Sequence, residues 1–529
     1  MKALNAIFHS FPIKLLVVHI KHNQFLLLYW FFLFSTVAGG FGKNLGIPYL
    51  FLDPIYLDSV GFWGFFIMGL SLAGFSMAFN ITSYILDGFR FPFLGTLPRP
   101  FTHFCLNNSI LPLSFMTFYV VKIIQFQRDY GLYSTGEIAN SLLGLFTGFV
   151  IMLVLLFSYF TLTNRDIRAV MRKKARKQIK AGISQKRNAF RQLQRLRRGN
   201  VRCDYYVSIR LGFFSTKRFE KYYDRVAILG IFKQNQRNAI IAESFLIVTV
   251  FGLGLFQESR AFQIPAAASS VLLLTVIIMA TGALSYWLRS WVVTAAIGLL
   301  IIFNLLFSEF NWGYRYPAYG IDYTVGKTPY NLDEIHEISG KDDIEASKAY
   351  WLDMLNNWKA KTGQEKPKMH LIAVSGGGQR SALWTTNVLQ HIDSVKQGQL
   401  MNETFLITGA SGGLIGAAFY RELFWLGNDP RNSIHRHEIG NQILNPLIFK
   451  LLINDIFLKV KSFEYAGQRY KVERGHTFEQ NLAKNLNGAL DRPLADYRSP
   501  EYRGEIPALL VSPLITNDGR KLYISPHPV

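Results

Sequence analysis

The sequence predicts a chain of two classes: an α-helical polytopic membrane region, followed by an α/β domain. Three observations carry this. Half of the 529 residues are hydrophobic and the formal charge is +22. Apolar runs of near-membrane length crowd the first 310 residues. Beyond them, Met369–Phe424 alternates strand and helix patterns around two glycine-rich turns.

The N-terminal residues carry Lys2, Lys14 and Lys21 ahead of the apolar run Phe25–Phe41. No small-residue cleavage site follows, so the run reads as a retained helix and not a signal peptide. Further spans are expected at Val60–Leu86, Ile110–Phe126, Ser141–Leu162, Ala239–Phe256, Ile264–Leu288 and Trp291–Phe310. Trp30, Trp63, Trp287 and Trp291 stand at or near their ends, as aromatic belts do at interfaces. So many buried helices in 310 residues would demand an implausibly large soluble core. Region 1–310 is therefore read as a multi-pass transmembrane region, and the protein is expected to be integral to a membrane.

Between the fourth and fifth spans lies a basic cytoplasmic loop, 164–238. Its part Arg165–Arg202 holds fifteen Lys or Arg against one acidic residue, Asp166. Cations at that density are retained on the cytoplasmic side. Apolar positions from Ile167 to Leu196 fall near helical spacing, so the loop also suits anionic lipid headgroups. A plain topogenic loop explains it equally well. Nucleic acid is not an expected partner for a loop tethered between spans. Cys105 and Cys203 are too few for a disulfide framework and read as unpaired thiols.

Region 311–365 reads as an interfacial linker and helix, rich in aromatics, Gly and Pro at first and amphipathic over Ser347–Lys361. The domain 366–529 opens with Met369–Val374, expected as a buried parallel strand. A glycine turn, Ser375–Gly378, leads into a helix over Ser381–Lys396, with Trp384, Val388, Ile392 and Val395 as its apolar face. A second strand, Thr404–Thr408, runs into Gly409-Ala410-Ser411-Gly412-Gly413 and another helix.

Gly409–Gly413 fits G-x-S-x-G, a turn so tight that its flanks need residues with almost no side chain. It would lift the Ser411 hydroxyl onto a helix N-terminus, where N–H groups favour negative charge. Gly376-Gly377-Gly378 can be a phosphate cradle, but Ser381 replaces the third glycine of the dinucleotide fingerprint and no acidic residue ends a second strand. As an oxyanion hole it makes better chemical sense. A structural turn remains the plain alternative. His435-Arg436-His437-Glu438 has no companion cluster at ligand spacing, so no metal is assigned.

Together the two turns resemble those of the patatin-like phospholipases, bacterial-type, over residues 366–529. The resemblance implies a three-layer α/β/α hydrolase domain working through a Ser–Asp dyad without histidine, metal or cofactor. Gly376, Gly377, Gly378 and Arg380 would form the oxyanion loop, and Ser411 would be the nucleophile. Ser381 departs from the family's final glycine. The family's Asp-Gly motif has one late counterpart, Asp518-Gly519, which also reads as a hairpin turn between two β-like runs. The base is thus Asp518 or lies beyond Val529, and the domain is expected to be incomplete at its C-terminus. The expected substrate is a membrane phospholipid or another acyl ester. From another class, the chain could be a membrane scaffold or transport-related protein with an inactive, lipid-binding domain; a nucleotide-binding domain is a third reading. The span count places 311–529 outside, whereas the resemblance implies the cytoplasmic face.

Overall fold

The structure is a computed structural model. It describes residues 7–163, 201, 203–210, 212–216, 235, 237–238, 240–242, 244–249, 252, 256, 259–288, 292–310, 331–454, 461–515 and 519–528. The chain divides into two compact units, Met1–Tyr316 with Leu444–Ser462, and Pro317–Ile443 with Phe463–Val529.

In the first unit the longer described helices include α1 (Phe11–His22), α2 (Gln24–Ala38), α3 (Phe62–Asp87), α4 (Ile110–Asp129), α5 (Thr135–Thr163), α6 (Ala266–Leu288) and α7 (Val292–Phe310). Four helical stretches are long and apolar enough to cross a membrane: Phe62–Arg90, Ile110–Asp129, Thr135–Thr163 and Ala266–Leu284. They match four of the expected spans. Helix α3 is the axis of the unit, buried along most of its length through Phe65, Met68, Leu72, Phe75 and Phe79. Helix α5 lies directly against it. A Cβ on Gly144 would stand 2.2 Å from Phe62 O, and one on Gly148 would stand 2.1 Å from Phe66 O. Small residues four apart permit such backbone contact between apolar helices. The far side of α5 leaves Leu143, Val150, Val154 and Leu155 exposed, as a lipid-facing surface requires.

Three expectations change here. The run Phe25–Phe41 does not make a full span: Gly39 turns left-handed at φ +82° and ends α2 after 15 residues. That is about 22 Å of helix against a core of about 30 Å. Trp30 is not at an interface but in the core, edge-on to Phe75 at 4.9 Å. Helix α5 begins earlier than hydropathy indicates. Ser134 and Glu137 form a reciprocal cap, Ser134 N donating to Glu137 Oε2 at 2.8 Å and Glu137 N to Ser134 Oγ at 3.3 Å. Trp63 is exposed, as a belt residue should be. Of the run Trp291–Phe310, Val292–Phe310 is helical as α7, with the shorter apolar stretch Ile297–Leu306. Most of the basic loop, the linker over 311–330 and parts of Ala239–Phe256 lie outside the described residues.

The second unit holds α8 (Lys341–Thr362), β1 (His370–Val374), α9 (Gly378–Val395), β2 (Thr404–Gly409), α10 (Ser411–Trp425), α11 (Arg474–Asn485), α12 (Arg498–Tyr502) and β3 (Ala508–Val511). The strands form one parallel sheet in the order β1-β2-β3. Register aligns Val374, Gly409 and Val511 at their C-terminal ends. Ile407, Leu509, Leu414, Leu389 and Tyr420 close the core over this sheet. Strand β1 lies at the edge, and its alternate residue Leu371 is 60% exposed, so it is half-buried and not wholly buried as expected.

The apolar stripe of α9 also differs from expectation. Trp384 and Val395 are exposed, while Ala382, Thr385, Thr386, Leu389 and Asp393 face inward. The reason is the partner helix. A Cβ on Gly416 of α10 would lie 2.4 Å from Ala382 O, so the helices meet backbone to backbone, where only small side chains fit.

Candidate active site

The site stands at the C-terminal ends of β1, β2 and β3, where parallel sheets place their ligands. Strands β1 and β2 there pass into turns shaped by glycines with little room for a side chain. Gly409 closes β2 at φ +154°, and a Cβ on it would stand 2.3 Å from Val374 O. The ladder continues one step past the strand, Ala410 N donating to Val374 O at 3.1 Å. Ser411 follows with φ +52°. Left-handed backbone is uncommon for a residue with a side chain and costs about 1–2 kcal/mol. The bend leaves Ser411 exposed as the first residue of α10, a 15-residue helix whose N-terminal amides point toward it.

The upstream turn is packed against this bend. Gly377 and Gly378 take φ +149° and +63°. A Cβ on Gly376 would lie 3.3 Å from Ser411 Cβ, and one on Gly412 only 1.8 Å from Gly378 O. Hence Gly376, Gly377, Gly378 and Ser411, singled out 33 to 35 residues apart in sequence, are brought together. Arg380 lies in the first turn of α9 with its side chain exposed. Ser381, the departure from the family pattern, has a local role: its Oγ donates to Ser375 O at 2.7 Å and ties the turn to α9. Gln379 adds a brace, Nε2 donating to Gly440 O at 3.0 Å and to Asn441 O. Neither brace is visible in the motif alone.

Beside Ser411 opens a cavity of about 310 Å³ whose walls are nearly all apolar, including Leu414, Ala418, Leu490, Leu509 and Val511. No acidic side chain is among its described lining residues. Asp518 lies outside the described residues, but the flanks of its turn are seen. Val511 pairs with Ile524 and Leu514 with Lys521, both antiparallel, and Ile515 N donates to Arg520 O at 2.8 Å. This is the hairpin expected from the sequence. It springs from Val511–Pro513, which line the cavity.

The His435–Glu438 cluster is accounted for by hydrogen bonding: His435 Nδ1 lies 2.6 Å from Glu438 Oε2, and Asn487 Nδ2 donates to Glu438 Oε1 at 2.7 Å. Sequence reading missed a buried network behind α10. Arg421 pairs with Glu501, whose other oxygen lies 2.8 Å from His527 Nε2. Tyr350 Oη lies 2.9 Å from His527 Nδ1. Arg421 also stacks over Tyr497 at 4.4 Å and donates to Pro507 O at 3.0 Å. The advance signal was the adjacent charged pair Arg421-Glu422 in a largely apolar helix.

Comparison of the chain with protein-family models, with curated proteins and with solved structures finds no match.

Proposed function

We propose that the chain is a membrane-anchored serine acyl hydrolase of the patatin-like type, acting on phospholipids or other acyl esters. One observation carries this reading: Ser411 is held at φ +52° on the bend between β2 and α10, against a glycine turn. Strain of this kind persists where the surroundings impose it, and it clusters at reactive groups. In the proposed reaction Ser411 Oγ attacks the ester carbonyl while its proton passes to a carboxylate. Amides of Gly376–Gly378 and of Gly412 then receive the oxyanion. Asp518 is the candidate base within the chain. The chemistry asks for neither metal nor cofactor.

Anchoring fits the substrate. An acyl ester lies at the bilayer surface, so a site tethered there is spared a diffusional search. The four long apolar helices support a multi-pass arrangement, for which we propose a bacterial inner membrane. The basic segment Arg165–Arg202 suits anionic headgroups.

One observation favours a second reading, a scaffold or transport-related protein that binds lipid without turnover: no carboxylate stands among the described residues of the cavity wall. Hydrolysis of a fluorogenic acyl ester separates the two. The hydrolase reading expects turnover that falls on the order of 10³-fold or more in Ser411→Ala. A folded wild type that binds the ester and never cleaves it would establish the second reading.

A further inference from the structure

The cavity beside Ser411 has a direction. Ser411, Leu414 and Ala418 follow one another at helical spacing on α10, so the wall runs two turns down from the hydroxyl, about 10 Å. Leu509 and Val511 of β3 supply more of the lining. Ala418 is the lining residue farthest from Ser411 along α10, and it is the smallest apolar side chain there. Leu490 reaches the cavity from a separate segment, the loop after α11.

Leu490 is in a conformation that its side chain resists. Its φ is +65°, and one residue separates it from the left-handed pair Asn487 at +54° and Gly488 at +84°. The Cβ of a leucine resists left-handed backbone, which Gly or Asn adopts more readily. The leucine side chain is partly buried against both apolar clusters of the unit, with Leu414 in one and Phe419 in the other. A strained, bulky residue in the wall of a cavity is placed to shape what enters it.

Size sets a limit. An apolar cavity of about 150 Å³ holds benzene, six carbons. At about 310 Å³ this one holds roughly a dozen. We propose that the cavity gauges acyl length: it seats the acyl chain of an ester at Ser411 up to about twelve carbons, with Ala418 as floor and Leu490 as side wall. This rests on the ester-hydrolase reading for the ester at Ser411, while the length limit itself is a property of the cavity.

The test therefore reads binding and turnover separately, on the full chain held in amphipol. Free fatty acids of six to eighteen carbons displace a dansyl-labelled undecanoate, and p-nitrophenyl esters of four to sixteen carbons report cleavage. The wild type should prefer ten to twelve carbons in both series, with affinity and kcat/KM at least 10-fold lower at sixteen. Ala418→Leu, which adds three carbons at the floor, should move both optima about three carbons shorter. Leu490→Ala should move them longer. A wild-type displacement series without a length step overturns the gauge, even if esters are cleaved; the hydrolase reading then stands alone. A step that shifts with both variants in the absence of cleavage supports the gauge and removes the hydrolase reading. A step that neither folded variant moves overturns the roles of Ala418 and Leu490.

Discussion

Replacing Gly416 by alanine sets helix propensity against packing. In a free helix interior the change stabilises by about 1 kcal/mol, because glycine loses more backbone freedom on folding. In α10 the added Cβ would lie 2.4 Å from Ala382 O and 3.1 Å from Ala382 C and Cα. These are backbone atoms of another helix, so no side-chain rotation removes the overlap. The helices must part by about 1 Å, loosening the contacts of Ala417, Leu414 and Leu389 beneath. Overpacking of a tight core costs about 1–3 kcal/mol, and two rigid backbones place this case at the upper end. Subtracting the propensity gain leaves about 2 kcal/mol of net destabilisation, roughly a 30-fold change in the unfolding equilibrium. Pulse proteolysis across a denaturant series, following cleavage of the α/β part, measures it. Gly427→Ala is the comparison: it has φ +72° and no atom within 4 Å of the added Cβ, so only backbone strain is felt. If Gly416→Ala is as stable as the wild type or more so, the close crossing of α9 and α10 is wrong.

Two other outcomes follow from polar contacts. Glu501→Gln leaves the Arg421 charge buried without its partner, and Arg421 Nε and Nη2 already lack partners among the described residues. Breaking a buried pair costs about 3–5 kcal/mol, so the same assay should show the α/β part cleaved at much lower denaturant; an unchanged midpoint would contradict it. Glu403 accepts from Lys396 and lies 3.0 Å from His370 Nε2. The Lys396 hydrogen bond holds its carboxyl below the usual range, against a smaller opposing effect of burial. Because the folded-state pKa is depressed, the contribution is present above the usual value of about 4.3 and is lost as pH falls through the lower folded value. Glu403→Gln should cost about 0.2–1 kcal/mol at neutral pH and almost nothing in acid. A pH-independent difference between variant and wild type would contradict this.

What the sequence revealed, and what it hid, follows from the range of the forces involved. The two glycine turns were legible because the tight bends at Gly409 and Gly412 admit no side chain, a demand that chain composition displays directly. The pairing of β2 with β3, a hundred residues apart, was not legible, since no local pattern encodes a distant parallel partner. The inward face of α9 was misjudged for a related reason. Hydropathy favours Trp384 and Val395, whereas α10 comes closest at Gly416, where the small Ala382 and Thr386 meet it. In the helical unit the apolar lengths of α3 to α6 were plain. The Gly144–Gly148 spacing and the Ser134–Glu137 cap were equally present in the sequence and were passed over. Gly39 shows how one left-handed residue ends a run that composition alone extends.

The central claim is that Ser411 is a nucleophile, and the most direct measurement maps a covalent adduct. The full chain is treated with a fluorophosphonate probe, digested, and the modified peptide located by mass. A nucleophilic Ser411 gives a single adduct on that residue, absent in Ser411→Ala and retained in Ser381→Ala, because the Ser381 hydroxyl is engaged with Ser375 O. An adduct on another serine, or none on a folded wild type, would contradict it.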